Sequence, residues 1–212
     1  MKKIKLVIFD LDGTLINAYP AIILSFNFTM QKAGYPLQSA LTIKRAVGWG
    51  DRNLLKGFIS AADLDQALST YRKHHGKALL KGSRLFPGVT QVLRYLRGKG
   101  YLLAVASNRP NRFSRILLKH LKLDKYFDFV LCADKLEHFK PHPQILRVIM
   151  EKLKVLPRET VFVGDMVLDA QAGRRGKVRT IIVTTGSSSR QEIVKEKPFK
   201  IIKKIDQIVR FL

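Results

Sequence analysis

The chain commits early to one arrangement. A short apolar run, Lys5 to Phe9, delivers it to two carboxylates one residue apart, Asp10 and Asp12, and then to a turn at Gly13-Thr14. A run this short and this continuously apolar fits a strand buried on both faces of a parallel sheet. Gly13 and Thr14 end it with a turn. Asp10 and Asp12 therefore stand at the carboxyl end of a strand, where open α/β sheets place their chemistry. As residues i and i+2 they point the same way. Two acids held that close repel each other unless something positive lies beside them. A metal ion, and an anion that the metal bridges, are the candidates. Taken alone, Asp-x-Asp-Gly also reads as an ordinary surface turn. It is not the start of an EF-hand, because the glycine comes too early.

At 212 residues the chain accommodates one large domain, or a core domain with a small insert. No segment approaches the apolar length of a membrane span. Met1-Lys2-Lys3 leads straight into the first strand without a signal-peptide pattern, so a cytoplasmic protein is expected. The single cysteine, Cys132, excludes an internal disulfide and a cysteine-rich zinc site. It lies in the apolar run Phe127 to Ala133 and is expected to pack in the core. Lys and Arg number 39 against 16 Asp and Glu, a formal net charge of +23. The resulting field favours anionic ligands, and phosphorylated metabolites, nucleic acid and acidic membranes all fit that sign.

From Pro20 to about Ser83 the pattern is helical. Ile22, Ile23, Phe26, Met30 and Ala33 recur at helical spacing, and Gly34-Tyr35-Pro36 stops the helix. Ser39 to Val47 and Asp51 to Ile59 read as shorter helices. Ser60 to Asp63 caps another that runs to about Leu80. Beyond Ser83, short apolar runs alternate with amphipathic stretches. Strands are predicted at Tyr101 to Ala106, Phe127 to Cys132, Thr160 to Val163, Val178 to Thr184 and, at an edge, Phe199 to Ile202. Helices fall between the first five, and a closing helix or turn covers Asp206 to Leu212. This alternation indicates a doubly wound parallel α/β sheet. The expected division is a core of residues 1–15 and 84–212, with a small all-helical insert, 16–83, after the first strand.

In such a sheet the carboxyl ends of the strands converge on one crevice. Besides Asp10 and Asp12, they bring Ser107-Asn108, Lys140 and Asp165 with Asp169. A carboxylate such as Asp10 can attack phosphorus and form an aspartyl phosphate. Asp12 can protonate the leaving oxygen and later deprotonate a water. Asp165, with Asp10, can hold a hard cation such as Mg²⁺. Asp169, four residues on, can orient Asp165. Ser107 and the backbone N–H of Asn108 open a helix and can cradle phosphate. Lys140 can neutralise the nucleophile and the transferring group.

These motifs resemble those of the haloacid dehalogenase superfamily. Asp10-Leu11-Asp12-Gly13-Thr14 matches its first motif and Ser107 its second. Lys140, in Lys140-Pro141-His142-Pro143, matches its third. Gly164-Asp165-Met166-Val167-Leu168-Asp169 matches its fourth. All four stand in order, and the likeness spans nearly the whole chain. It implies a Rossmann-like core with the helical insert as a cap of the first type, and a Mg²⁺-dependent phosphatase of phosphoglycolate phosphatase-like kind. Asp10 is then nucleophile and metal ligand. Asp12 is acid/base and binds metal through its backbone carbonyl. Asp165 is the third ligand, and Ser107, Asn108 and Lys140 bind the phosphoryl group. The expected partner is a small anionic phosphorylated metabolite. After the first motif many relatives carry an acidic residue followed by a small one, whereas this chain has Asn17-Ala18, which bears on substrate choice.

Pyrophosphate, a sugar phosphate or a phosphomutase reaction are alternatives within the same chemistry. A dehalogenase needs neither metal nor Asp12, so the acids present argue against it. A basic nucleic-acid-binding protein requires no such carboxylates, and no aromatic residues interleave with the basic clusters Arg174 to Arg179 and Lys195 to Lys204 as stacking would need. Within the insert, Trp49 and Arg52 are candidates to touch the leaving group. His74 and His75 are adjacent on a helix, diverge, and are expected on a solvated face.

Overall fold

The computed structural model describes residues 3–212. Its centre is a six-stranded, wholly parallel sheet in the order β5-β4-β1-β6-β7-β8. The strands are β1 (Leu6–Phe9), β4 (Leu102–Ser107), β5 (Phe129–Cys132), β6 (Thr160–Gly164), β7 (Arg179–Val183) and β8 (Lys200–Ile202). Every residue of β1 is buried, which explains its unbroken Leu-Val-Ile-Phe run. Val7 and Phe9 pack into a cluster on one face, while Leu6 and Ile8 pack into a separate cluster on the other, as a period of two requires. Cys132 is buried as expected, and burial pushes its thiol up to about 11.

Because β1 lies between β4 and β6, with Phe9 in register with Val105 and Val163, the three chains leave the sheet side by side. The strand order turns outward in both directions from β1, and that turning point is where a crevice opens in doubly wound sheets. The intervening helices are α5 (Val89–Gly98), α6 (Asn111–His120), α7 (Gln144–Lys152) and α8 (Val167–Arg175).

Helices α1 (Tyr19–Lys32), α2 (Ala40–Ala46), α3 (Asp51–Lys56) and α4 (Leu64–Gly82) fill the stretch expected to be helical. Their entry and exit are fastened by a short antiparallel ribbon that the sequence did not foretell, β2 (Ile16–Asn17) with β3 (Arg84–Leu85). Asn17 is thus paired with Arg84 in the ribbon. A helix over Arg190–Lys195, α9, was also not foreseen, and a 3₁₀ helix, Ile205–Phe211, closes the chain. No helix of the described residues is long and apolar enough to cross a membrane.

Candidate active site

Asp10 follows β1, Ser107 ends β4, Asp165 follows β6, and Lys140 lies in the loop between β5 and α7, so adjacent strands bring these groups to one pocket. Asp10, Asp12, Ser107, Asn108, Lys140 and Asp169 all line it. Asp165 is not part of the lining, but carboxylate oxygens of Asp10, Asp165 and Asp169 fall within 4.8 Å of one another.

Lys140 is the hub. Its Nζ donates to Asp10 Oδ1 at 2.7 Å, Asp169 Oδ1 at 2.8 Å and the Ala106 carbonyl at 3.0 Å, which uses all three ammonium protons. Burial opposes its charge, but Asp10 and Asp169 outweigh that and hold its pKa above the usual lysine range. Asp10 is pushed up to about 7, first by burial and then by the neighbouring Asp169, against the pull of Lys140. Asp165 is raised well above the carboxylate range by burial and by Asp10 and Asp169.

Asp165 is closely walled. Thr14 Oγ1 donates to its Oδ1 at 2.8 Å, and the Tyr19 hydroxyl stands 3.5 Å from Oδ2. A Cβ added to Gly13 or to Gly186 would overlap this carboxylate, so both positions require glycine for close approach. Asp169 uses Oδ2 to accept from the backbone N–H groups of Asp165, at 3.1 Å, and Met166, at 3.0 Å. With its other oxygen on Lys140, Asp169 is fully engaged as a brace. The oxygens least engaged by described residues are Oδ2 of Asp10 and Oδ2 of Asp165.

Two further residues are drawn in: one that the sequence did not single out, Arg109, and one that it placed on a solvated face, His75. Arg109, at the entry to α6, grips Asp12 through two parallel bonds of 2.7 Å, Nε to Oδ2 and Nη2 to Oδ1. Its Nη1 donates to His75 Nε2 at 2.8 Å, which leaves the His75 proton on Nδ1, 3.1 Å from Ser25 Oγ. The expectation of a solvated His75 is therefore corrected: the ring is buried, stacked on Tyr71 and edge-on to Phe113. Burial, reinforced by Arg109, pulls its pKa down to about 2, so it is neutral. The expected divergence of the adjacent His74 is corrected as well: half-buried and stacked on Phe28, it also brings its Nδ1 to 3.1 Å from Ser25 Oγ, so the two imidazoles converge on one hydroxyl. One signal did exist: Leu68, Tyr71, His75 and Ala78 follow the apolar spacing of α4, and all are buried.

Asn108 bridges. Its Nδ2 donates to Gly48 O at 2.8 Å and Lys140 O at 3.0 Å, while its Oδ1 accepts from Lys140 N at 2.9 Å. It thereby positions the lysine backbone and ties it to the Gly48-Trp49-Gly50 loop. Gly48, Gly50 and Asp51 line the pocket, but Trp49 and Arg52 do not. Trp49 is 45% exposed, and Arg52 turns outward to an exposed ion pair with Asp65. The structure therefore does not bring those two candidates together with the carboxylates.

The haloacid dehalogenase-like hydrolase family model matches residues 7–183. Among curated proteins, the phosphoglycolate phosphatase of Haemophilus influenzae is 30% identical, the match covering 98% of each chain. That of Pseudomonas putida is 32% identical over 93% of this chain and 76% of its own length. The crystal structure of a predicted phosphoglycolate phosphatase from Haemophilus somnus superposes with a TM-score of 0.93 at 27% identity, covering 100% of this chain and 99% of that one.

Proposed function

The chain belongs to the haloacid dehalogenase-like hydrolase family, and from that premise we propose that it is a Mg²⁺-dependent phosphatase of small phosphomonoesters, with phosphoglycolate the leading substrate. The observation that carries the reading is the contact of Lys140 with both Asp10 and Asp169 at the edge of a pocket that also holds Asp12.

The donor set fits a divalent cation. Among the described residues, Asp10, Asp12, Asp165 and Asp169 are paired with two cations, Lys140 and Arg109, which leaves two carboxylates without one. Asp10 and Asp165 would hold the ion through their less engaged oxygens, with the backbone carbonyl of Asp12, while Asp169 stays in its bracing role. When bound, Mg²⁺ supplies charge that draws in and polarises a phosphate group.

In this reading an Asp10 oxygen bonds to phosphorus as the ester P–O bond breaks, and Asp12 gives a proton to the departing oxygen. A water then attacks the phosphoaspartate, Asp12 takes the water's proton, and inorganic phosphate leaves with Asp10 restored. Lys140 keeps Asp10 aimed and steadies charge on the phosphoryl group with Ser107 and Asn108. The helices of residues 16–83 serve as a cap that shuts water from the pocket and meets the leaving group.

A turnover screen over phosphorylated metabolites tests this, run with Mg²⁺ and after complete chelation. Hydrolysis of phosphoglycolate that vanishes on chelation and returns with Mg²⁺ is expected. Undiminished activity without divalent metal would overturn the reading.

A further inference from the structure

Arg109 differs from the other charged groups lining the pocket in having a partner that the chemistry must take away. Lys140 has no proton left to offer. Asp51 is occupied by Arg72, through Nε at 2.7 Å and Nη2 at 3.0 Å. Arg109, by contrast, spends two N–H groups on Asp12 and one on His75, and no described residue accepts from its remaining two. A carboxylate paired through both oxygens with a guanidinium is ionised and carries no proton, so Asp12 must come off Arg109 before it can act as an acid. The guanidinium is buried, and a buried cation stripped of its partner is strongly disfavoured.

The rest of the wall limits what could take the place of Asp12. Ile22, Val47, Leu54, Tyr71 and Phe113 line the same pocket as Arg109. They offer apolar contact, the Tyr71 hydroxyl apart, and no other cation. Arg109 therefore presents a planar fork, aimed by a neutral imidazole behind it, to whatever part of the substrate extends beyond phosphorus. That fork already fits a carboxylate, as its two parallel bonds to Asp12 demonstrate.

We propose that Arg109 determines specificity by exchange: a carboxylate on the leaving group replaces Asp12 on the guanidinium, and Asp12, released from the cation, takes up a proton from water and turns it to the departing oxygen. The proposal rests on the phosphatase reading and deepens it by assigning the residue that reads the carboxylate of the leaving group. It also makes substrate binding the event that arms the acid. A neutral leaving group leaves Asp12 clamped. His75 is a positioning residue in this scheme, since it touches only the guanidinium.

The test compares 2-phosphoglycolate with 2-phosphoglycolamide, which has the same size but no carboxylate charge, and uses p-nitrophenyl phosphate to establish phosphatase activity. The wild-type protein with Mg²⁺ should favour the acid over the amide in kcat/KM by at least about tenfold. Arg109→Gln should bring that ratio close to one. Arg109→Lys should recover only part of it, because an ammonium cannot form the fork. A purely structural role would lower both substrates alike and leave the ratio standing, which would overturn the proposal. A wild-type ratio near one, with p-nitrophenyl phosphate hydrolysed, would overturn it while sparing the phosphatase reading, and this comparison needs no variant to fold. Failure to hydrolyse any of the three would overturn both.

Discussion

Lys140 meets Asp10 across 130 residues of chain, its Nζ 2.7 Å from Oδ1 and buried with it. The same ammonium holds Asp169 at 2.8 Å, so one cation keeps two of the three clustered carboxylates from repelling each other. Removing one partner of a buried ionic group costs about 3–5 kcal/mol, because the remaining charges are left uncompensated. Lys140→Met is expected to lose stability on that scale in urea unfolding without divalent metal, and to abolish turnover. A loss below about 1 kcal/mol would mean that the carboxylates are neutralised by something other than Lys140.

Asp12 separates two kinds of substrate. Protonation matters most when the departing oxygen is a poor leaving group. Asp12→Asn should slow hydrolysis of 2-phosphoglycolate, an alkyl phosphomonoester, by roughly 10²–10⁴-fold. On p-nitrophenyl phosphate, whose phenolate leaves unaided, the loss should be far smaller. Steady-state rates on the two substrates decide the matter, and equal losses would remove the acid role.

Much of this arrangement is written locally. Each strand that carries chemistry is a short apolar run ended by a polar group, so β1, β4 and β6 and the residues at their ends can be placed from sequence alone. Helix α9 carried a local signal too: Ser189 and Glu192 cap it reciprocally, a spacing visible in the sequence. The ribbon β2–β3, at two residues per strand, is too short to show any period. Arg109 belongs to a different category. In the sequence it is only the residue before Pro110 at a helix entry, and its partners Asp12 and His75 lie 97 and 34 residues away. Nothing local says that a guanidinium points back across the crevice. Trp49 and Arg52 fail for the complementary reason: their loop reaches the pocket, but through Gly48 and Gly50, while their own side chains lie outside its lining.

His75 gives the molecule an acid-side weakness. Its imidazole stays neutral down to about pH 2 when folded, because burial and the adjacent Arg109 disfavour its charge, whereas an unfolded histidine protonates near pH 6.5. Below that pH the unfolded chain binds a proton that the folded chain refuses, so stability must fall as pH falls. The slope is about 1.4 kcal/mol per pH unit for one proton. His75→Gln keeps an acceptor for Arg109 but does not titrate. Denaturant unfolding between pH 6.5 and 5 should therefore show a shallower pH slope in the variant, by close to one proton, with the other histidines common to both proteins. Identical slopes would show that His75 is accessible to protons in the folded state.

Asp165 is where stability and function pull apart. It is fully buried, faces Asp10 and Asp169, and among the described residues its carboxylate receives only a threonine hydroxyl at 2.8 Å and a distant tyrosine hydroxyl at 3.5 Å. A carboxylate so placed weakens the metal-free fold, because its charge is both desolvated and repelled. Asn has the same shape without the charge. Asp165→Asn should accordingly raise the melting temperature of the metal-free protein, by a few degrees for about 1 kcal/mol in a chain of this size. Mg²⁺ should reverse the ranking. Binding to the folded state alone stabilises the wild type in proportion to the logarithm of ion concentration over its dissociation constant, and the variant, short of one anionic ligand, should gain little. Melting curves of both proteins across a Mg²⁺ titration test the two halves together. Equal Mg²⁺-induced shifts would place the ion away from Asp165, and a less stable metal-free variant would show that the Thr14 contact outweighs the repulsion.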